Sequence, residues 1–204
     1  IKYGGVGTQK VEAVVGKLFP EARVERLDTD RVQKKGVLED ILGRFAAREI
    51  DILIGTQMLA KGFDFKHVAL VGVINADSML TLPDFRAFER SFQLMTQVAG
   101  RTGRGERKGV VVLQTFMPVS YPVQRAREHD YDGFYVEELK ARKKLFYPPF
   151  SHIVNIIIRS RREQTLEDLC GKIESGIADG QFSRPGVDII GPAPLPFYKL
   201  RNYF

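Results

Sequence analysis

Apolar residues alternate between two spacings along the first half of the chain. Val11, Val14, Val15 and Leu18 recur at helical intervals after Thr8, which is placed to cap that helix, and "ARVERLD" (22–28) then reads as a strand. A second helix is expected from about Val37 to Arg48, with Leu38, Ile41, Leu42 and Phe45 on one side. "DILIGT" (51–56), "HVALVGVINA" (67–76) and "GVVVLQTF" (109–116) are nearly unbroken apolar runs of strand length. Strands of this kind separated by amphipathic helices predict an α/β layer domain built on a parallel sheet covered on both faces.

The pattern changes after Pro118. From Tyr121 to Leu145 the chain reads as mostly helical and charged, and Pro148 and Pro149 stop any helix there. Beyond them "HIVNIIIRS" (152–160) is expected as a strand, "TLEDLCGKIESGI" (165–177) as a helix and "GVDIIGPAP" (186–194) as a second strand. The predicted organisation is an α/β lobe over 1–120, a helical connector over 121–149 and a small α+β C-terminal domain over 150–204. That last domain ends on "FYKLRNYF" as though cut before a final strand, and an opening Ile1 in place of Met suggests an excised piece of a longer protein. No internal repeat or low-complexity tract interrupts the chain.

Composition narrows the class. With 44% hydrophobic and 27% charged residues the 204-residue chain has the make-up of an ordinary globular protein, and its net charge of +6 points to an anionic partner. Cys170 is the single cysteine, and His67, His129 and His152 lie far apart in sequence, which excludes a disulfide framework and a zinc site of the usual ligand spacing. No apolar run reaches membrane-span length and Ile1 opens no signal-peptide pattern, so a cytoplasmic location and no membrane partner are expected.

The chemistry concentrates in "QVAGRTGRG" (97–105), where Arg101 and Arg104 stand three apart among glycines after a run that reads as a helix. A guanidinium offers a planar fork of donors to phosphate oxygens, and glycine lets backbone approach a ligand closely. Other phosphate motifs fail. The segment Gly55 to Gly62 has the outline of a P-loop but carries Ala60 where glycine is needed and Gly62 where a magnesium-binding Ser or Thr is needed. "GVGTQK" (5–10) lacks the third glycine of a dinucleotide fingerprint, and no acidic pair follows a strand. The chain therefore reads as unable to hold nucleotide and magnesium by itself. Thr8 with the amides of "GGVGT" would make a phosphate seat, or equally a helix cap and tight turn. Lys140, Arg142, Lys143 and Lys144 beside Phe146 and Tyr147, with Arg159, Arg161 and Arg162, form a basic and aromatic neighbourhood of the kind that grips nucleic acid; a solvated helix face with Glu138 pairing to Arg142 is the alternative.

An α/β lobe with phosphate-directed arginines and no P-loop resembles the second RecA-like domain of superfamily two helicases. The blocks "KYGGVGTQKVEAVVGKLFPEARVERLDTD", "DILIGTQMLAKGFDFKHVALVGVINAD", "SFQLMTQVAGRTGRGERKGVVVLQTF" and "YPPFSHIVNIIIRS" together resemble the PriA family of bacterial primosomal replication-restart DNA helicases, over essentially the whole chain. Small departures are Lys66 where the family usually has proline, Thr102 where it usually has alanine, and Gln9 where it often has glutamate.

The resemblance implies a parent enzyme in which ATP and Mg2+ sit between two lobes and are held mainly by a first lobe outside this sequence. Arg101 and Arg104 would be arginine fingers acting on the transferring phosphoryl group, with Gln97, Gly62, Asp64 and Gly100 on the nucleotide side and Thr8, Thr56 and Lys61 on the DNA backbone. It further implies 3′ to 5′ unwinding of forked or branched DNA, reloading of the replication machinery, and contacts with other primosome proteins and single-stranded DNA-binding protein. Zinc is expected in the parent, with no ligands in this chain, and the chain alone is expected to be inactive. Two other readings stay open. One is a DEAD-box RNA helicase lobe, against which stand Gln97 and Val98 where that family has a His-Arg pair; the other is a non-catalytic nucleic-acid-binding module.

Overall fold

The computed structural model describes residues 7–28, 32, 36–56, 59, 67–100 and 109–194, and its contacts divide the chain into two units, Ile1–Ser151 and His152–Phe204. The first unit runs α1 (Thr8–Leu18), β1 (Val24–Leu27), α2 (Val37–Ala46), β2 (Ile52–Gly55), β3 (Leu70–Val73), α3 (Asp77–Leu80), α4 (Ala87–Ala99), β4 (Val110–Leu113), α5 (Tyr121–Glu128) and α6 (Tyr131–Lys144). It is an α/β unit, and each strand pairing is parallel, as the apolar runs predict.

Among the described residues the strands come as two pairs, β1 with β2 and β3 with β4, in place of the single sheet expected. Around β1 and β2 the expected packing is found: Leu27, Ile41 and Ile50 form a buried cluster joined by Leu38, Leu42 and Phe45, the stripe foreseen on α2. The Arg23 guanidinium donates to both Asp51 carboxylate oxygens, at 2.9 and 2.8 Å, and so staples the starts of these two strands. Gly55 is needed by space, since a Cβ there would meet the Leu27 carbonyl oxygen at 2.7 Å and the Leu59 side chain at 2.5 Å. Covering on both faces is corrected for β3 and β4. Leu70 pairs with Val110 and Gly72 with Val112, and Leu70, Val110 and Val112 are all exposed, so one face of this pair is open.

The mostly helical stretch from Tyr121 to Leu145 is made of two helices, α5 and α6. His129 takes a left-handed φ of 55°, and Asp130 then accepts the Gly133 N–H at 2.8 Å, starting α6 afresh. Phe92 and Met95 of α4, Ala126 of α5 and Phe134 of α6 make the second buried cluster, with the rings of Phe92 and Phe134 stacked at 4.1 Å. On α1 the foreseen stripe is only half realised, as Val14 and Leu18 are exposed, and Gly7 occupies the N-cap with Thr8 one residue inside the helix.

In the second unit α7 (Glu163–Ala178) lies over the expected helix. The expected strands at 152–160 and 186–194 are corrected: among the described residues this unit has only an isolated antiparallel bridge between Arg184 and Val187. Val154, Ile156 and Ile190 are 83%, 79% and 97% exposed. An apolar run supplies side chains for a strand, but a strand also needs a second backbone to complete its hydrogen bonds, and periodicity along one segment does not reveal that partner.

Candidate nucleotide and nucleic-acid interface

Parallel pairing puts the carboxyl ends of neighbouring strands side by side, which is where open α/β sheets receive ligands. Leu27 pairs with Gly55, so Asp28 and Thr56, the residues that follow β1 and β2, stand at the same sheet end. Thr56 is exposed there, and its carbonyl accepts the Leu59 N–H at 3.0 Å in a turn. Thr8, at the first turn of α1, donates its hydroxyl to the Asp28 carboxylate at 2.8 Å. Two of the expected DNA-backbone residues are thus brought to one sheet edge.

The same edge holds charges that sequence reasoning did not single out. Asp28 is buried, and the Arg26 guanidinium lies 2.8 Å from it, 3.1 Å from Glu12 and 3.5 Å from the Thr8 hydroxyl. A hydroxyl has one proton, so Thr8 can donate to a phosphate only by releasing Asp28, and its oxygen already accepts a long bond from Arg26. The one sequence signal for this cluster is the acid that closes "ARVERLD", since a carboxylate is rarely buried without partners.

Gln97 and Gly100 lie at the C-terminal end of α4, both exposed, and Val98 between them is buried. Gly100 has φ −70° and ψ −6°, a backbone open to any residue, so torsion does not require glycine there. An exposed amide and a bare backbone turn fit contact with an external nucleotide. Lys61, Gly62, Asp64, Arg101 and Arg104 lie outside the described residues. Among the described residues no group of three or more His, Cys, Asp or Glu side chains could hold a metal ion.

The basic and aromatic neighbourhood of the connector is sorted by burial. Arg142 belongs to the interior: its guanidinium donates to Glu138 at 2.7 Å, Glu89 at 2.7 Å and the Pro148 carbonyl at 3.3 Å, and lies 5.3 Å from the centre of the Phe85 ring. Burial opposes its charge, but the hydrogen bonds to Glu138 and Glu89 outweigh that and hold its pKa above the ordinary value. Tyr121 donates to Glu138 at 2.6 Å, and burial first, then this bond, raise its hydroxyl well above the usual phenol range. Tyr147 packs on Phe85 at 5.8 Å. Lys140, Lys143, Lys144 and Phe146 remain exposed.

Residues 7–106 match the family described as helicase conserved C-terminal domain, and residues 143–204 match the primosomal protein N C-terminal domain. The chain is 39% identical over its whole length to the replication restart protein PriA of Bacillus subtilis, of which it covers 25%. It is 43% identical to that of Treponema pallidum, over 94% of this chain and 29% of the relative, and 40% identical to that of Haemophilus influenzae, over 96% and 26%. It thus spans about a quarter of the length of the curated relatives it matches.

Proposed function

This chain belongs to the PriA family of replication restart proteins, matching their C-terminal portion, and from that membership we propose that it is the second helicase lobe and tail of an ATP-dependent DNA helicase that restarts stalled replication forks. The whole protein would unwind forked or branched DNA with 3′ to 5′ polarity in the cytoplasm and help reload the replisome, together with other primosome proteins and single-stranded DNA-binding protein. The lobe is of RecA-like type, and the tail would become α+β if the segments 152–160 and 186–194 pair in the whole protein.

In this reading Arg101 and Arg104 reach into a cleft whose other wall, with the P-loop and magnesium carboxylates, comes from a first lobe. There they stabilise charge developing on the γ-phosphoryl group, a role worth roughly a thousandfold or more in rate. Gln97, Gly100, Gly62 and Asp64 line the nucleotide side, while Thr8, Thr56 and Lys61 follow the DNA backbone without reading its sequence. ATP supplies the free energy of translocation, and zinc would be held by cysteines elsewhere in the protein.

The observation that supports this reading most is that similarity runs through both the helicase domain and the primosomal domain in one chain. Its test is Arg104→Ala in a full-length replication restart protein carrying this sequence. DNA-stimulated ATP turnover should fall by roughly a thousandfold with forked-DNA binding intact; unchanged turnover would remove the finger role.

A further inference from the structure

The end of α6 turns an aromatic side chain outward at a left-handed cap. The Phe146 N–H donates to the Lys143 carbonyl at 3.4 Å and the Tyr147 N–H to the Arg142 carbonyl at 2.8 Å, which is the Schellman arrangement. Its pivot, Phe146, sits at φ 54°, in the left-handed region that glycine favours. Helices α2, α5 and α7 close by the same pair of bonds, with pivots at Arg48 (φ 62°), His129 (φ 55°) and Gly180 (φ 71°), and Phe146 is the one apolar ring in the set. A bulky residue at such a pivot is disfavoured. Burial does not compensate, because Phe146 is 75% exposed.

The surroundings indicate what the ring is for. Lys140, Lys143 and Lys144 are exposed on the last turns of α6, and no carboxylate occurs from Leu139 to Phe150. The nearest acids are already engaged, Glu138 by Arg142 and Tyr121, and Glu137 by Arg125. Three ammonium groups exceed the half-charge of opposite sign at a helix C-terminus, so the local field attracts anions. An outward aromatic ring beside cations that make no ion pair among the described residues matches a stretch of unpaired nucleic acid, whose bases stack on the ring while its phosphates meet the lysines.

We propose that Phe146, with Lys143 and Lys144, forms a stacking site for single-stranded nucleic acid at the end of α6, held outward by the left-handed helix cap. This rests on the reading of the chain as DNA-binding, and it adds a contact that none of the helicase-lobe residues supplies.

The test is anisotropy titration of a fluorescein-labelled oligo(dT) with the full 204-residue chain, alongside thermal unfolding. Phe146→Gly should bind on the order of tenfold more weakly and melt at or above the parent, since glycine suits the pivot. Phe146→Tyr should keep the affinity, and an abasic oligonucleotide should bind parent and Phe146→Gly alike. Replacing Lys143 and Lys144 by alanine should lower the slope of log affinity against log salt by about 1.4, at roughly 0.7 per single-strand contact. Parental affinity in Phe146→Gly overturns the inference and leaves the DNA-binding reading standing, also when that variant loses self-association, which would make the ring a protein contact. A lower melting point would make the ring a packing residue and overturn it equally. No binding by the parent chain would sink both.

Discussion

Arg142 joins α4, α6 and the Pro148 turn through one guanidinium, with its side chain only 13% exposed and that of Glu138 only 10%. Removing one member of a buried pair leaves the other charged and unpartnered, so Arg142→Ala should destabilise the first unit by about 3 kcal/mol. Urea denaturation checks this, and Arg142→Lys should restore little, because an ammonium cannot span the same partners with fork geometry. Asp51 is a different case. Its carboxyl is held well below the usual range by the hydrogen bonds from the Arg23 side chain and backbone. A folded pKa below the unfolded value of about 3.9 means that its stabilisation is full above roughly pH 4 and is lost as pH falls toward the folded value. Asp51→Asn should therefore flatten the fall of the urea midpoint below pH 4 and leave the slope at neutral pH unchanged.

Between elements, short contacts decide where helices start and how strands approach. Asp130 caps α6 through the Gly133 N–H and also receives Arg125 at 2.9 Å. Asp130→Ala should cost about 1–2 kcal/mol, seen as a lower urea midpoint, whereas Asp130→Asn should recover most of it. Gly55 lets β1 and β2 close on one another, and Gly55→Ala must push against the Leu27 carbonyl. The expected penalty is about 1–3 kcal/mol. Because Thr56 follows directly, the same variant should disturb the candidate DNA edge, and an unchanged melting temperature in Gly55→Ala would show that the strands have room to part.

For the whole molecule, the separation of roles between lobes proposed above sets what this chain should do alone. In that proposal Arg101 and Arg104 complete a site whose P-loop lies in a first lobe, and the sequence given carries no P-loop of its own. The isolated chain should therefore release no phosphate from ATP, with or without DNA. Turnover that persists at constant specific activity through successive purification steps would contradict this. With a net charge of +6 the chain should still bind DNA, and bind it more weakly as salt rises.

Much of this was readable from the sequence because it depends on neighbours along the chain. The stripe on α2, the helix at 163–178, the strand character of 52–55, 70–73 and 110–113, and the glycine-spaced arginines are all local patterns. Which apolar runs pair is a property of two segments meeting, and so "HIVNIIIRS" looks as strand-like as "DILIGT" and yet, among the described residues, only the latter finds a ladder. Burial of charge is likewise decided by the fold. Arg142 and Lys143 are adjacent in the same basic run, and a turn of 100° per residue sends one into a cage of carboxylates and an aromatic ring while the other faces water. The partnership of Thr8 with Asp28, 20 residues on, arises in the same way, from a backbone path that no single stretch of sequence encodes.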